Sequence, residues 1–149
     1  MCEEHRTPPT DDFPGAGPPV PPRPGPRKPA EARREVERAV AACCRAGHAP
    51  CDAHAVADAQ LVASELTTNA ILHGGGVTDF RVDVDGCGVR VCVSDASDRL
   101  PVARPLVDPL GRHRPNGRGW PIVCRLAREV QVSDLPSGGK CITAVVPLY

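Results

Sequence analysis

The stretch Leu61-Val62-Ala63-Ser64-Glu65-Leu66-Thr67-Thr68-Asn69-Ala70-Ile71-Leu72-His73-Gly74 decides how this chain is read, because it has a helical period yet carries a carboxylate and an amide among its apolar positions. At about 100° per residue, Ala59, Leu61, Val62, Leu66 and Ala70 are placed on one arc. Gln60, Ser64 and Thr67 fall opposite, with Ile71 as a stray apolar residue among them. Glu65 and Asn69 are four apart and therefore stacked on one side, where they project within the apolar arc. Burying them unpaired would be costly, so something polar is expected to meet them there. A hydrated divalent cation carrying a phosphate chain needs the acid and the oxygen acceptor that this pair offers. The other reading is a helix rolled so that both groups reach solvent.

Composition narrows the setting. The chain has 149 residues and 41% hydrophobic content, which suits one compact domain of the usual size, about 100–150 residues. Only 3% of residues are aromatic, so the core must be Val, Leu, Ile and Ala. That favours layered helix and sheet over an aromatic-rich β-sandwich or a base-stacking nucleic-acid module. Formal net charge is zero, and no direct binding to nucleic acid is expected. No segment approaches the roughly 20 apolar residues of a membrane span, and the N-terminus has no apolar leader, so a cytoplasmic protein is expected. Of the eight cysteines, Cys87, Cys92, Cys124 and Cys141 lie in apolar or strand-like runs, where a reduced thiol behaves as a small hydrophobe. Cys44, His48, Cys51 and His54 have zinc-ligand residue types at short intervals. No paired C-x-x-C accompanies them, and the expectation is eight reduced thiols without zinc.

Residues 1–30 hold ten of the eighteen prolines, with four acids against four Lys and Arg. Such a segment buries too little apolar surface to offset its ordering entropy, and it is expected to be a disordered tail ahead of a domain at 31–149. A helix is expected from Ala30 to Ala46, stopped by Gly47. The organising helix follows from about Ala53 to His73, with Asp52 as N-cap and Gly74-Gly75-Gly76 as its end. Alternation over 78–84 and 89–95 predicts a hairpin, whose second strand ends on Asp95. Residues 98–118 carry four prolines and five arginines and read as a lid suited to a polyphosphate, or as a solvated basic loop. Gly117-Arg118-Gly119 opens a short helix with a proline tolerated in its first turn. Glu129 to Ser133 and Lys140 to Leu148 form a second hairpin. The order predicts an α+β fold, a two-layer sandwich with helices on one face of a mainly antiparallel sheet.

Taken together, S-E-L-T-T-N-A-I-L-H-G, V-S-D-A-S, G-R-G-W-P-I-V-C-R-L-A and G-G-K before a terminal strand resemble the histidine kinase-like ATPase (GHKL, Bergerat) fold of histidine kinases, gyrase and MutL. Within it, the chain is similar to bacterial anti-sigma-factor serine/threonine kinases. The resemblance implies ATP and Mg²⁺ as ligands. Asn69 stands where the family holds the metal, Glu65 where it places a general base, and Asp95 where it binds the adenine amino group. Gly117 and Gly119, with Arg118 between them, match the phosphate-wrapping turn. The implied function is phosphorylation of a serine on an anti-anti-sigma protein, with a sigma factor as second partner and a homodimer among the assemblies the resemblance allows. A non-catalytic module that uses ATP while sequestering a sigma factor is the alternative, and a metal- or redox-responsive regulator is a third. Trp120-Pro121, Lys140 and Cys141 depart from the family's usual residues, so no polar adenine contact is assigned to the last strand.

Overall fold

A computed structural model describes residues 5–7, 28–45, 52–85, 88–99 and 119–148. Helix α1 spans Pro29–Arg45 and α2 spans Ala53–His73. Strands β2 (Val77–Asp85) and β3 (Gly88–Asp95) follow, then helix α3 (Gly119–Leu126) and strands β4 (Glu129–Asp134) and β5 (Lys140–Val146). A short strand β1, His5–Thr7, precedes them all. The sheet order is β1-β4-β5-β3-β2. Four strands are antiparallel neighbours, and β1 lies parallel to β4 at one edge. The α+β fold is therefore as the sequence predicts. Three residues of the proline-rich segment belong to the sheet edge and its last two, Pro29 and Ala30, begin α1, while residues 1–4 and 8–27 lie outside the described residues.

The helices form because their apolar residues have somewhere to go. Ala32, Val36 and Val40 recur every four residues along α1 and are fully buried or nearly so, while Pro29 and Glu31 suit a first helical turn. In α2 the Asp52 side chain caps the first turn by accepting from the His54 N–H at 2.8 Å. At its other end, the N–H groups of Gly74 and Gly76 both donate to the Ala70 carbonyl. Glycine is required there, since Gly75 and Gly76 have φ of 77° and 108°.

Burial corrects part of the helical wheel. Ala59, Val62, Leu66 and Ala70 are in the core, but Leu61 is 39% exposed, whereas Ser64 and Thr67 are buried. The reason is that α2 is covered on a second side by α1. Arg33 of α1 donates to Ser64 Oγ at 3.0 Å, and Gln60 donates to the Arg33 carbonyl at 3.3 Å. A polar stripe on a helix packed from two sides can face a neighbouring helix rather than water.

On the sheet, Val89, Val91 and Val93 of β3 pair with Val146, Ala144 and Ile142 of β5, and all six are buried beneath the helices. Trp120, the departure noted at the start of α3, is buried in this same core. Cys92 and Cys141 have the opposite parity, toward the other face, and share the Thr143 hydroxyl at 3.5 and 3.9 Å. They are thus not simple apolar fillers. A hydrogen bond from Cys92 brings the Cys141 thiol down to about 6. The same bond, with burial, pushes Cys92 up. Cys44 is disulfide-bonded, which corrects the expectation of eight reduced thiols. His48 and Cys51 lie outside the described residues, and no group of three or more His, Cys, Asp or Glu able to hold a metal occurs among the described ones. No described helix is long and apolar enough to cross a membrane.

Candidate nucleotide site

The site lies where the C-terminal end of α2 meets the end of β3 and the start of β5. Asp95 continues the inward series Val89, Val91, Val93, and Lys140 continues the inward series Val146, Ala144, Ile142, so the pleat turns both charged side chains under the helix layer. They are paired in register and meet there. Lys140 Nζ lies 2.9 Å from Asp95 Oδ1, with each side chain 5% exposed. The ammonium also donates to the Ser97 carbonyl at 3.2 Å, and the Ser97 N–H donates to Asp95 Oδ1 at 2.9 Å.

Two glycines make room for this pair. A Cβ on Gly74 would overlap the Asp95 carboxyl group, and a Cβ on Gly139, whose φ is 87°, would overlap the Asp95 carbonyl oxygen. The Ala96 N–H donates to the Gly74 carbonyl at 3.1 Å, tying the end of β3 to the end of α2. The Gly139 N–H donates to Asp98 at 3.0 Å, closing the 95–98 turn against the final hairpin.

Glu65 and Asn69 approach the same region along α2. At 1.5 Å of rise per residue, Asn69 sits about 7.5 Å and Glu65 about 13.5 Å before Gly74 along the helix axis. Both are half-buried, at the margin of the apolar arc rather than within it. The Asn69 side-chain nitrogen is buried with no hydrogen-bond partner among the described residues, an arrangement that costs about 1–3 kcal/mol unless a ligand or water meets it. Burial raises the Glu65 carboxyl above its ordinary value of 4.5, which suits a group that must take up a proton. The amide oxygen of Asn69 is a hard donor that fits the one or two protein contacts Mg²⁺ takes when phosphates and waters supply the rest.

The raised Glu65 carboxyl has a signature in stability. The folded state holds that proton more tightly than the unfolded chain, so wild-type stability falls as pH rises through the raised folded value. Glu65→Gln removes this loss. The variant is expected to be more stable than the wild type at neutral pH, with the advantage shrinking as pH falls toward 4.5 and below. Urea unfolding across that range checks it, and a difference independent of pH would contradict it.

Of the residues expected at the site, Glu65, Asn69 and Asp95 are placed by α2 and β3. Gly119 begins α3, whereas Gly117, Arg118 and the lid arginines after Arg99 lie outside the described residues. Lys140, Gly74 and Gly139 were not assigned to the site from sequence. The signal for Lys140 was present as parity, a lysine in step with Ile142, Ala144 and Val146, opposite an aspartate in step with three valines.

Comparison with known proteins agrees with this geometry. The histidine kinase-like ATPase domain matches residues 25–146, from just before α1 to the end of β5. No curated protein matches the chain. With four antiparallel strands carrying three helices among the described residues, a buried strand-end aspartate and an acid and amide one turn apart, the chain belongs to the histidine kinase-like ATPase family, an ATP-binding fold.

Proposed function

We propose that this protein is a cytoplasmic, ATP-dependent protein-serine kinase of the anti-sigma-factor type, acting on a small anti-anti-sigma antagonist and holding a sigma factor as its second partner. The observation that carries this reading is the half-buried Glu65 with its raised proton affinity, one turn from Asn69 on the helix that leads to Asp95. A module that merely held nucleotide would need an adenine acceptor and a metal ligand, but it would have no use for a desolvated base.

Asp95 accepts the exocyclic amine of adenine, where guanine would present a repelling carbonyl. Asn69, with Glu65 nearby, would hold Mg²⁺, which neutralises charge on the phosphates. Phosphoryl transfer then asks the protein chiefly for positioning. The substrate serine oxygen forms a bond to the γ-phosphorus, the bond from that phosphorus to the bridging oxygen breaks, and ADP departs. The serine hydroxyl proton passes to Glu65. The lid arginines and the amides of Gly117 and Gly119 are proposed to steady the phosphates.

Calorimetric titration with ATP and Mg²⁺ tests the base-reading role. Asp95→Asn is expected to weaken binding by roughly tenfold or more, the worth of a charge-assisted hydrogen bond, in a variant whose circular dichroism shows it folded. Unchanged affinity would remove the assignment.

A further inference from the structure

We propose that Cys141 and Cys92, on neighbouring strands of the sheet's outer face, form a peroxide-oxidation site in which Cys141 attacks the peroxide and Cys92 then closes a disulfide onto it. The proposal is independent of the nucleotide reading, because the pleat turns both thiols away from the helix layer under which Asp95 and Lys140 lie.

The register brings the pair together. Cys92 stands opposite Thr143 and Cys141 opposite Ser94, so the two cysteines are diagonal neighbours across β3 and β5. Such neighbours have Cα atoms about 7–8 Å apart and meet only when their side chains lean toward each other. Here the Thr143 hydroxyl donates to Cys92 Sγ at 3.5 Å and lies 3.9 Å from Cys141 Sγ, and the Cys92 thiol hydrogen-bonds Cys141. Cys92 is buried, whereas Cys141 is half-buried, so the sulfur that a small solute reaches first is that of Cys141.

The surroundings divide the roles in the same way. The thiolate is the nucleophile in thiol oxidation. The hydrogen bond from Cys92 brings Cys141 down to about 6 against the effect of burial, with Ser94 and Thr143 assisting. Cys92, as the donor, keeps its proton. The charged residues on this face are Asp79, Arg81 and Asp83 of β2, Arg90 of β3 and Glu129 of β4. Asp79 opposes the Cys141 thiolate, and Arg81 lies 3.1 Å from that carboxylate.

In the first step the Cys141 thiolate attacks an oxygen of hydrogen peroxide. An S–O bond forms, the O–O bond breaks, and the departing hydroxide takes a proton from solvent to become water. Sulfur is oxidised to the sulfenic acid and the peroxide is reduced. Cys92 then gives up its proton and attacks the Cys141 sulfur. The S–S bond forms, the S–O bond breaks, and the second hydroxide leaves with that proton as water. A disulfide usually spans about 4.4–6.8 Å between Cα atoms, so a diagonal pair must draw its strands together, which leaves the crosslink easy to reduce.

At pH 6 about half of Cys141 is thiolate, against about 0.3% of an ordinary thiol. Its lower basicity gives back roughly a factor of ten in nucleophilicity, leaving an advantage of roughly tenfold. The test treats the full chain at pH 6 with hydrogen peroxide, beside a cysteine-containing model peptide, and maps the products by peptide mass spectrometry. The wild type is expected to form a Cys92–Cys141 crosslink that dithiothreitol reverses. In Cys92→Ser, where the serine hydroxyl still donates, no crosslink is expected, and a 1,3-dione probe for sulfenic acid should label Cys141 roughly tenfold faster than the model peptide. In Cys141→Ser neither crosslink nor label should appear at Cys92. A wild type in which Cys92 and Cys141 stay reduced while Cys43 or the model peptide oxidises would overturn the site. Labelling of Cys92 in Cys141→Ser as fast as Cys141 in Cys92→Ser would overturn the assigned roles.

Discussion

Glu65→Ala is expected to slow phosphoryl transfer by roughly 10²–10⁴-fold, the usual worth of a general base, while ATP affinity stays close to that of the wild type. The separation follows from position. Glu65 is one helical turn farther than Asn69 from the Asp95 end of the site and is half-buried, with a carboxyl that burial has made more basic. In the proposed reading it meets the attacking hydroxyl rather than the nucleobase. Asn69→Ala should behave differently, since loss of the metal ligand weakens ATP binding and everything downstream. Single-turnover transfer measured beside calorimetric affinity distinguishes the two variants. Transfer as fast in Glu65→Ala as in the wild type would remove the general-base role.

The largest stability effect is expected at the buried pair. Lys140→Met leaves the Asp95 carboxylate under the helix layer without its cation, with both side chains of the pair only 5% exposed in the intact protein. Removing one partner of such a pair costs about 3–5 kcal/mol, a large share of the roughly 5–15 kcal/mol by which domains are stable. Adding Asp95→Asn to the same chain removes the orphaned charge and should recover most of the loss, because the asparagine still accepts from the Ser97 N–H. Urea unfolding of the two singles and the double forms the cycle. Equal stability of Lys140→Met and the double variant would show that the pair does not couple in this way.

Most of the fold was legible because each element has a strong local reason. The two long helices are marked by helix formers between Pro29, Gly74 and the capping Asp52, and the strands by valine alternation broken at glycine turns. Two things were not legible, both for tertiary reasons. The wheel of α2 placed Ser64 and Thr67 toward solvent, since periodicity cannot say that α1 would cover that side and supply Arg33 as a partner. It also placed Leu61 inward, although the side chain stands 39% exposed.

Of the candidate site, Glu65, Asn69 and Asp95 stood out in the sequence because each is a polar group in an apolar pattern. Lys140 was noticed as a departure from the family's usual residue but not as a partner, because pairing across 45 positions depends on the register of β3 against β5. Gly74 and Gly139 looked like an ordinary helix end and hairpin. Only the packed structure shows that a Cβ at either position would displace Asp95.

The most direct test of the kinase reading is to incubate the wild-type chain with ATP carrying a radiolabelled γ-phosphate, Mg²⁺ and the anti-anti-sigma proteins of its own genome, purified one by one. The account predicts that one of them acquires the label on a serine, at a rate that collapses in Glu65→Ala. Tight ATP binding with no label on any of them would contradict the kinase and leave a nucleotide-dependent sequestering module in its place.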